Sequence, residues 1–355
     1  MAPLVSILIP AYNAQAWIAD SIDSASAQTW RRKEIIVVDD GSRDRTYAVA
    51  RTYSSPSVRV VTQENRGASA ARNEAFRLCQ GDYIQWLDAD DLLAPEKIAR
   101  QMRAVEEGIG ERTMLSSAYG SFMYRVSRAQ FCPTPLWCDL SPLEWLLRKM
   151  AQNLHMQTAT WLVGRILTEA AGPWDTRLSL DDDGEYFSRV LLASTGVHFL
   201  SDARVFYRAS GTGSLSFVDH SEKKLESQLL SVEAHLRYLQ SMEKSERVTE
   251  ACLRYLQSRF VNFYPEAPRL AQRLQELATS LGGHLQIPPL GWKFAWLAPM
   301  FGYAAAKSAR EFFRALKWSS IRLFDRALWY LERARLRGSS DKSEAKMGAR
   351  VRAER

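Results

Sequence analysis

Two apolar, β-branched runs, VSILIP (5–10) and KEIIVVDDGS (33–42), stop at a Pro or at an Asp-Gly turn and flank a helix-like segment from about 14 to 28. No other feature constrains the fold as tightly. Both runs are apolar at successive positions instead of alternating, as strands covered on two faces must be, so the unit reads as β-α-β with parallel strands. VRVVTQEN (58–65) adds a third strand after a second helix, RDRTYAVARTY. GASAARNEAFRLCQ is a third helix, and DYIQWLDADD (82–91) a fourth strand with its exit turn. Strands alternating with helices predict a doubly wound sheet whose ligands gather outside the carboxyl ends of the strands.

Beyond Pro95 a helix runs to about Gly108, TMLSSAYGSFMYRV alternates as a strand, and SPLEWLLRKMAQ opens with a cap at Ser141 three residues before Glu144. ATWLVGRILTEAAGPWD reads as strand then helix, stopped at Gly172 and Pro173, and a helix over roughly 184–195 precedes the strand VHFLSDARVFYR. After SGTGS (210–214) only helical patterns follow, which puts a domain boundary near residue 218. The expected organisation is residues 1–110 and 111–218 as two halves of one α/β domain, then a helical region over 219–337. A disordered basic tail is expected over 338–355, where large apolar side chains are almost absent.

DYIQWLDADD closes on Asp88, Asp90 and Asp91. Three carboxylates at a strand exit repel one another unless a cation sits among them, and Asp88 with Asp90 can both face one oxygen-liking ion. Capping of the next helix by Asp91 accounts for the cluster equally well when it is taken alone. VVDDGS ends a neighbouring strand and brings Asp39 and Asp40 to the same rim, where a carboxylate can accept from a base N–H or a ribose hydroxyl.

In order along the chain, ILIPAYN, VVDDGSRDRT, ENRGASAARNEAF and GDYIQWLDADD resemble the inverting glycosyltransferases of family 2, from Ser6 to about Leu93 and more weakly to Arg208. The resemblance implies a GT-A fold: α/β and Rossmann-like, a doubly wound mixed sheet, here with a C-terminal helical extension. It implies a metal-dependent, non-processive enzyme that moves one sugar from a nucleotide-diphosphate sugar to a hydroxyl acceptor. By the same resemblance Pro10, Tyr12, Asn13, Asp39, Asp40, Arg72 and Asp88 belong to the nucleotide-sugar pocket, with Asp40 on the base edge and Arg72 reaching the base or diphosphate. Asp88 and Asp90 match the family's Asp-x-Asp pair, with Asp90 on a Mg²⁺ or Mn²⁺ ion that bridges the phosphates and neutralises charge as the glycosidic bond breaks.

An inverting displacement needs a base opposite the leaving group. In the family it is the second acid of a pair six residues before an Arg; counting back from Arg189 in SLDDDGEYFSRV gives Asp183, with Asp182 before it and Asp181 as a competing acid. Acids complementing a helix dipole read the same stretch without chemistry. AGPWDTRL places Trp174 and Asp175 where the family has its acceptor-side turn: an indole face for the C–H side of a sugar and a carboxylate for its hydroxyls. A buried Trp with a capping Asp reads equally well. Tyr207 and Arg208 end the last strand near the same rim, close enough for a diphosphate contact, and His155 reads as a core or surface histidine.

IPAYNAQAW has neither the Gly-rich loop nor the basic residue expected of a nucleotidyltransferase, and the chain has no Arg-Trp dipeptide, hence no Gln-x-x-Arg-Trp motif of processive synthases. A nucleotide-sugar-binding protein without turnover remains the alternative. Four cysteines without CxxC spacing or a neighbouring His argue against disulfides and a zinc site and predict reduced, buried thiols. The first residues lack a basic segment followed by a long apolar run, so a cytoplasmic location is expected.

The chain is +7 overall, yet from Lys293 onward fifteen Lys and Arg face six Asp and Glu. FAWLAPMFGYAAA (294–306) is shorter than the ~20 residues a membrane-spanning helix needs. The following SAREFFRALKWSSIRLFDRALWYLERARLRG mixes aromatic and basic residues, with Ile321, Phe324, Leu328 and Leu331 at 3-4-3 spacing. Such a helix suits an anionic membrane surface, with packing on the body or a homodimer seam through residues 293–337 as competing readings. No nucleic-acid module is recognisable, so no nucleic-acid partner is expected. A peripheral position on the inner face of the membrane would fit a lipid-linked or cell-envelope glycan as acceptor.

Overall fold

β1 (Val5–Ala11) is buried at all seven positions, as a strand with a parallel neighbour on each side must be. The computed structural model describes residues 2–209 and 221–353, with side chains described as far as Glu332. α1 (Ile18–Ser26) leads to β2 (Lys33–Asp39), which pairs with β1 from Val5 opposite Lys33 to Ala11 opposite Asp39. α2 (Thr46–Arg51) leads to β3 (Val58–Thr62), parallel to β2, and α3 (Ala68–Leu78) leads to β4 (Tyr83–Trp86), parallel to β1. The next elements are β5 (Leu92–Leu93), α4 (Lys97–Glu106), β6 (Thr113–Phe122), β7 (Gln130–Phe131), α5 (Pro142–Ala151), β8 (Leu162–Gly164), α6 (Arg165–Ala171), α7 (Asp182–Ala193) and β9 (Gly196–Arg208). Ser141 caps α5 as the sequence predicts, its Oγ accepting from the Glu144 amide.

The strand order is β3-β2-β1-β4-β8-β6-β9-β5, with β7 on β6. β8 runs antiparallel to both β4 and β6, and β5 antiparallel to β9. The sheet is therefore mixed, the fold class the resemblance implies. Strand–helix alternation predicts parallel pairing, and that holds only as far as β4.

Alternate residues of β1 serve two cores. Leu8 belongs to one with Ile36, Val38, Trp86 and Trp161, whereas Val5, Ile7 and Ile9 join Ile18, Ile35, Ile98 and Val205 on the other face. The first core continues into α8 (Glu222–Met242), α9 (Glu246–Phe263) and α10 (Pro268–Ser280), whose Leu239, Leu256 and Phe263 are fully buried. Each such side chain contributes roughly 1.5–3 kcal/mol of burial, so these three helices form part of the same compact unit, which comprises Met1–Ser121 and Phe131–Pro289. The boundary expected near residue 218 and the SGTGS stretch lie outside the described residues.

A second unit comprises Phe122–Gln130 and Leu290–Arg355. It holds α11 (Trp292–Ala295) and α12 (Ala298–Ala353), the latter broken at Gly302, whose φ of 82° leaves the helical region. Within this unit Arg125 pairs with Asp325 at 2.7 Å and Glu332 at 3.1 Å, and the Tyr124 ring lies 5.8 Å from that of Trp329. Trp292, Trp296, Met300, Phe301, Phe312, Phe313 and Phe324 are exposed. Among the described residues no helix is long and apolar enough to cross a membrane. Residues 338–353, whose composition predicts no fixed structure, continue α12; Glu344, Ala345 and Lys346 are good helix formers. Of the cysteines, Cys79 and Cys252 are buried as expected, but Cys138 is half-buried and Cys132 exposed.

Candidate functional site

The loops leaving β1 and β2 are laced together. Asn13 takes a left-handed φ of 48°, its amide donates to Ser42 Oγ at 2.9 Å, and its Oδ1 accepts from the Arg43 amide at 2.9 Å. Pro10 is buried in β1 opposite Val38, and Tyr12 is exposed beside it. Gly41 takes a φ of 68°, and a Cβ there would lie 2.9 Å from the Asn65 amide nitrogen, so the Asp-Gly turn admits no larger residue without strain.

Asp39 and Asp40 are both buried but differ in what they have left to offer. Asp40 Oδ1 accepts from Gln63 Nε2 at 2.7 Å and the Arg66 amide at 3.0 Å, and its Oδ2 from the Gly67 amide at 2.8 Å. Asp39 Oδ2 accepts from the Ser42 amide and Thr62 Oγ1, while its Oδ1 is buried without a hydrogen-bond partner. The base-edge role expected for Asp40 does not suit a carboxylate committed to three donors of its own chain. Asp39 carries the available oxygen, and a buried acceptor left open is costly unless something fills it.

Arg72, buried on α3, joins the two halves of the sheet. Its Nη2 donates to Asp88 Oδ1 at 2.9 Å, its Nη1 to Asp182 Oδ2 at 2.7 Å, and its guanidinium lies 4.4 Å from the centre of the Trp174 ring. Burial opposes the charge, but Asp182 and Asp88 outweigh it and hold the guanidinium protonated. The contact expected with a diphosphate is, in this structure, a contact with two carboxylates.

Past Asp88 the chain turns through Asp90 and Asp91. Asp91 is not a helix cap: it is fully buried, accepting from the Arg208 amide at 2.8 Å and from Gln157 Nε2. Burial, with Asp90 and Asp88 nearby, pushes its pKa well up. Arg208 donates from Nε to the Asp90 carbonyl at 2.8 Å and from Nη2 to Asp20 at 3.1 Å, so it helps to hold the turn in place. Among the described residues no three His, Cys, Asp or Glu side chains converge as a ready cation cage. Two carboxylates on one turn suit a hard divalent ion that takes its remaining ligands from phosphate and water.

At the start of α7, Asp182 Oδ2 accepts from Ser69 Oγ and Arg72 Nη1, and its Oδ1 from the Asp183 amide. Asp183 Oδ1 accepts from the Gly184 amide at 2.8 Å and its Oδ2 from Thr158 Oγ1 at 3.3 Å. Burial first, then Asp182 and Asp181, raise the Asp183 pKa to about 7, with Arg72 and Lys149 pulling the other way. Thus Asp88, Arg72, Asp182 and Asp183 stand together.

Trp174 and Asp175 do not join them as expected. Trp174 is buried, one face stacked on Tyr186 at 4.0 Å and 9° between planes, the other covered by Arg72. With both faces covered, its indole packs behind the site and presents nothing to a sugar. Asp175 pairs with Arg177 at 2.6 Å and lines a cavity of about 110 Å³ whose walls include Glu185, Glu233 and Arg237 but none of the acids above. His155 is exposed, its Nε2 3.4 Å from Tyr119 Oη. Sequence reasoning missed Gln157 and Thr158, which tie one short segment to Asp91 and Asp183, because nothing in QNLHMQT, ahead of the strand-like ATWLV, marks it as more than a loop.

Residues 6–110 match the family described as Glycosyl transferase family 2, which bears out the resemblance carried by the four motifs. An uncharacterized glycosyltransferase of Rickettsia typhi is 30% identical over 194 residues, 55% of this chain and 60% of its own length. The chain thus spans less than two thirds of that relative. Two solved structures share the fold, each at 17% identity. One is Staphylococcus aureus TarS residues 1–349 in complex with UDP-GlcNAc, with a TM-score of 0.63 over 78% of this chain and 81% of that one. The other is the Pyrobaculum calidifontis mannosyltransferase PcManGT in complex with GDP-Man and Mn²⁺, with a TM-score of 0.51 over 92% and 88%.

Proposed function

We propose that this chain, whose residues 6–110 match glycosyl transferase family 2, moves a single sugar from a nucleoside-diphosphate sugar to a hydroxyl acceptor with inversion at the sugar carbon. The observation that supports this most is the Asp88–Arg72–Asp182 bridge, which gathers the Asp-x-Asp turn and the acids of α7 around one guanidinium. Asp39 Oδ1 accepts from the base, and the Asn13–Ser42 linkage shapes the pocket beside it. Asp90, with Asp88 as second carboxylate, would hold a Mg²⁺ or Mn²⁺ ion, which when bound neutralises charge on the departing diphosphate.

Asp183 takes the proton from the acceptor hydroxyl. A base works best when its pKa lies near the operating pH, and burial among acids has brought this one there. Arg72 steadies Asp182 next to it and balances the acids on both sides. The absence of an Arg-Trp dipeptide supports transfer of one sugar per encounter.

The acceptor in this reading is a lipid-linked or cell-envelope glycan, met at the cytoplasmic face of an anionic membrane. The exposed aromatic residues of α11 and α12 support it. So does the pairing of Arg125 with Asp325 and Glu332, which neutralises two of the few acids on that helix. The test is transfer and donor hydrolysis with Mn²⁺ or Mg²⁺ for wild type, Asp183→Ala and Asp90→Ala. Loss of turnover in both variants with nucleotide binding kept in Asp183→Ala is expected. An Asp183 variant as active as wild type would remove the base assignment, and a wild type that binds nucleotide sugar without turnover would mark the chain as a binding protein. Removal of residues 293–355 should release the protein from anionic vesicles; retention would overturn the membrane reading.

A further inference from the structure

Beneath the first turn of α7 lies a buried polar cluster supplied by three helices far apart in sequence. Lys149 of α5 is 3% exposed, and its Nζ lies 2.7 Å from His235 Nε2 and 3.3 Å from the carbonyl oxygen of Gly184, the residue after Asp183. His235 of α8 is fully buried, with Nδ1 3.1 Å from Tyr255 Oη and 3.3 Å from Ser231 Oγ. Ser231 Oγ donates to Asp181 Oδ2 at 2.7 Å, and Arg259 of α9 approaches the same oxygen at 3.9 Å.

The chemistry of these partners leaves one consistent proton arrangement. Lysine only donates, so His235 Nε2 accepts and its Nδ1 carries the hydrogen, pointing toward Ser231 and Tyr255. Burial, with Lys149 alongside, keeps His235 neutral, its pKa pushed down to about 3. Asp181 keeps its charge: burial opposes it, but Arg259 and Lys149, with the hydrogen bond from Ser231, hold its pKa well below the usual carboxylate range. Asp181 also sits at a left-handed φ of 58°, immediately before α7, where a non-glycine residue is strained unless its surroundings over-determine it. A Cβ on Gly184 would fall 2.2 Å from Asp181 Oδ1 and 3.1 Å from Lys149 Nζ, so the turn closes tightly over the cluster.

We propose that Lys149, Ser231, His235, Tyr255 and Arg259 are positioning residues that clamp Asp181 and the Gly184 carbonyl and thereby aim Asp183 at the acceptor. None touches a substrate; all act through the turn that bears the base. This rests on the reading of Asp183 as the base, and it makes α8 and α9 part of the reaction's machinery.

The groups facing Asp183 are Asp181 and Asp182 on its own turn, Arg72 from α3, Lys149 from α5 and Arg259 from α9. Removing a cation from this set raises the Asp183 pKa, so the acid limb of the rate profile moves to higher pH. The experiment compares pH profiles of kcat and kcat/KM for wild type, Lys149→Met and Arg259→Gln, with UDP-GlcNAc, GDP-mannose or whichever donor wild type turns over. For Lys149→Met the inference expects the acid limb to rise by at least about half a unit, kcat to fall at least about tenfold at neutral pH, and donor KM to stay within about twofold. Arg259→Gln, at a less buried position, should shift the limb in the same direction. Folded variants with an unmoved limb, or with kcat unchanged and only a lower melting temperature, would overturn the clamp while leaving Asp183 as the base. If Asp183→Asn is itself active, the failure lies with the base assignment instead.

Discussion

Replacing Asp183 by Asn should make the protein more stable while removing its activity. The folded-state pKa of Asp183 lies near 7, against 3.8 for a free aspartate, so the native chain holds this proton more tightly than the unfolded one across roughly pH 4 to 7. Stability is therefore lost as pH rises through that window. At alkaline pH the ionised carboxylate costs up to about 4 kcal/mol, about three units at roughly 1.4 kcal/mol each.

Asparagine removes the charge and can keep the contacts, with Oδ1 toward the Gly184 amide and Nδ2 donating to Thr158 Oγ1. Denaturant unfolding at about pH 8.5 should show the variant more stable by up to that amount, and the gap should close near pH 5, where the wild-type carboxyl is protonated. In the same enzyme the wild-type rate should fall about tenfold per unit below neutral pH. A variant no more stable than wild type at alkaline pH, or one whose advantage is the same at both pH values, would refute the argument that this carboxylate is held ionised at the expense of the fold.

Asp39→Asn should weaken nucleoside-diphosphate binding by roughly 1.5–3 kcal/mol, measured by calorimetry, whereas Asp40→Asn should mainly lower the melting temperature, because its partners belong to the chain's own loop. Arg72→Met leaves Asp88 and Asp182 facing each other uncompensated and should destabilise by about 3–5 kcal/mol in denaturant unfolding. Trp174→Phe should lose about 1–3 kcal/mol of stability and leave acceptor KM unchanged; a raised acceptor KM would restore a sugar-contacting role.

The strands that lead to Asp39 and Asp88 were legible because their signals are local: continuous apolar runs, Asp-Gly punctuation and short crossovers. Choosing between Asp39 and Asp40 was not. Adjacent carboxylates look alike in sequence, and only the approach of Gln63, Arg66 and Gly67 shows which one is saturated. Trp174 misled because a tryptophan after Gly-Pro serves a sugar or a core equally well, and the arrival of Tyr186 from the next helix decides the matter. Antiparallel entry of β8 between β4 and β6 depends on pairings across long loops, which no periodicity encodes. The cluster under Asp181 is the extreme case. Lys149, Ser231, His235 and Arg259 each read as ordinary helix residues, and their chemistry exists only once three helices have packed.

The two-way grip of Arg72 also bears on how such a protein could be recombined. A chimera that takes its first half from this chain and its second half from a relative must import an acid at the place of Asp182. Without one, it inherits a guanidinium sealed in the interior with half its counter-charge gone. Crossovers placed between α3 and α7 are thus coupled across the whole sheet, and exchanging acceptor halves among relatives should succeed only where that acid is retained.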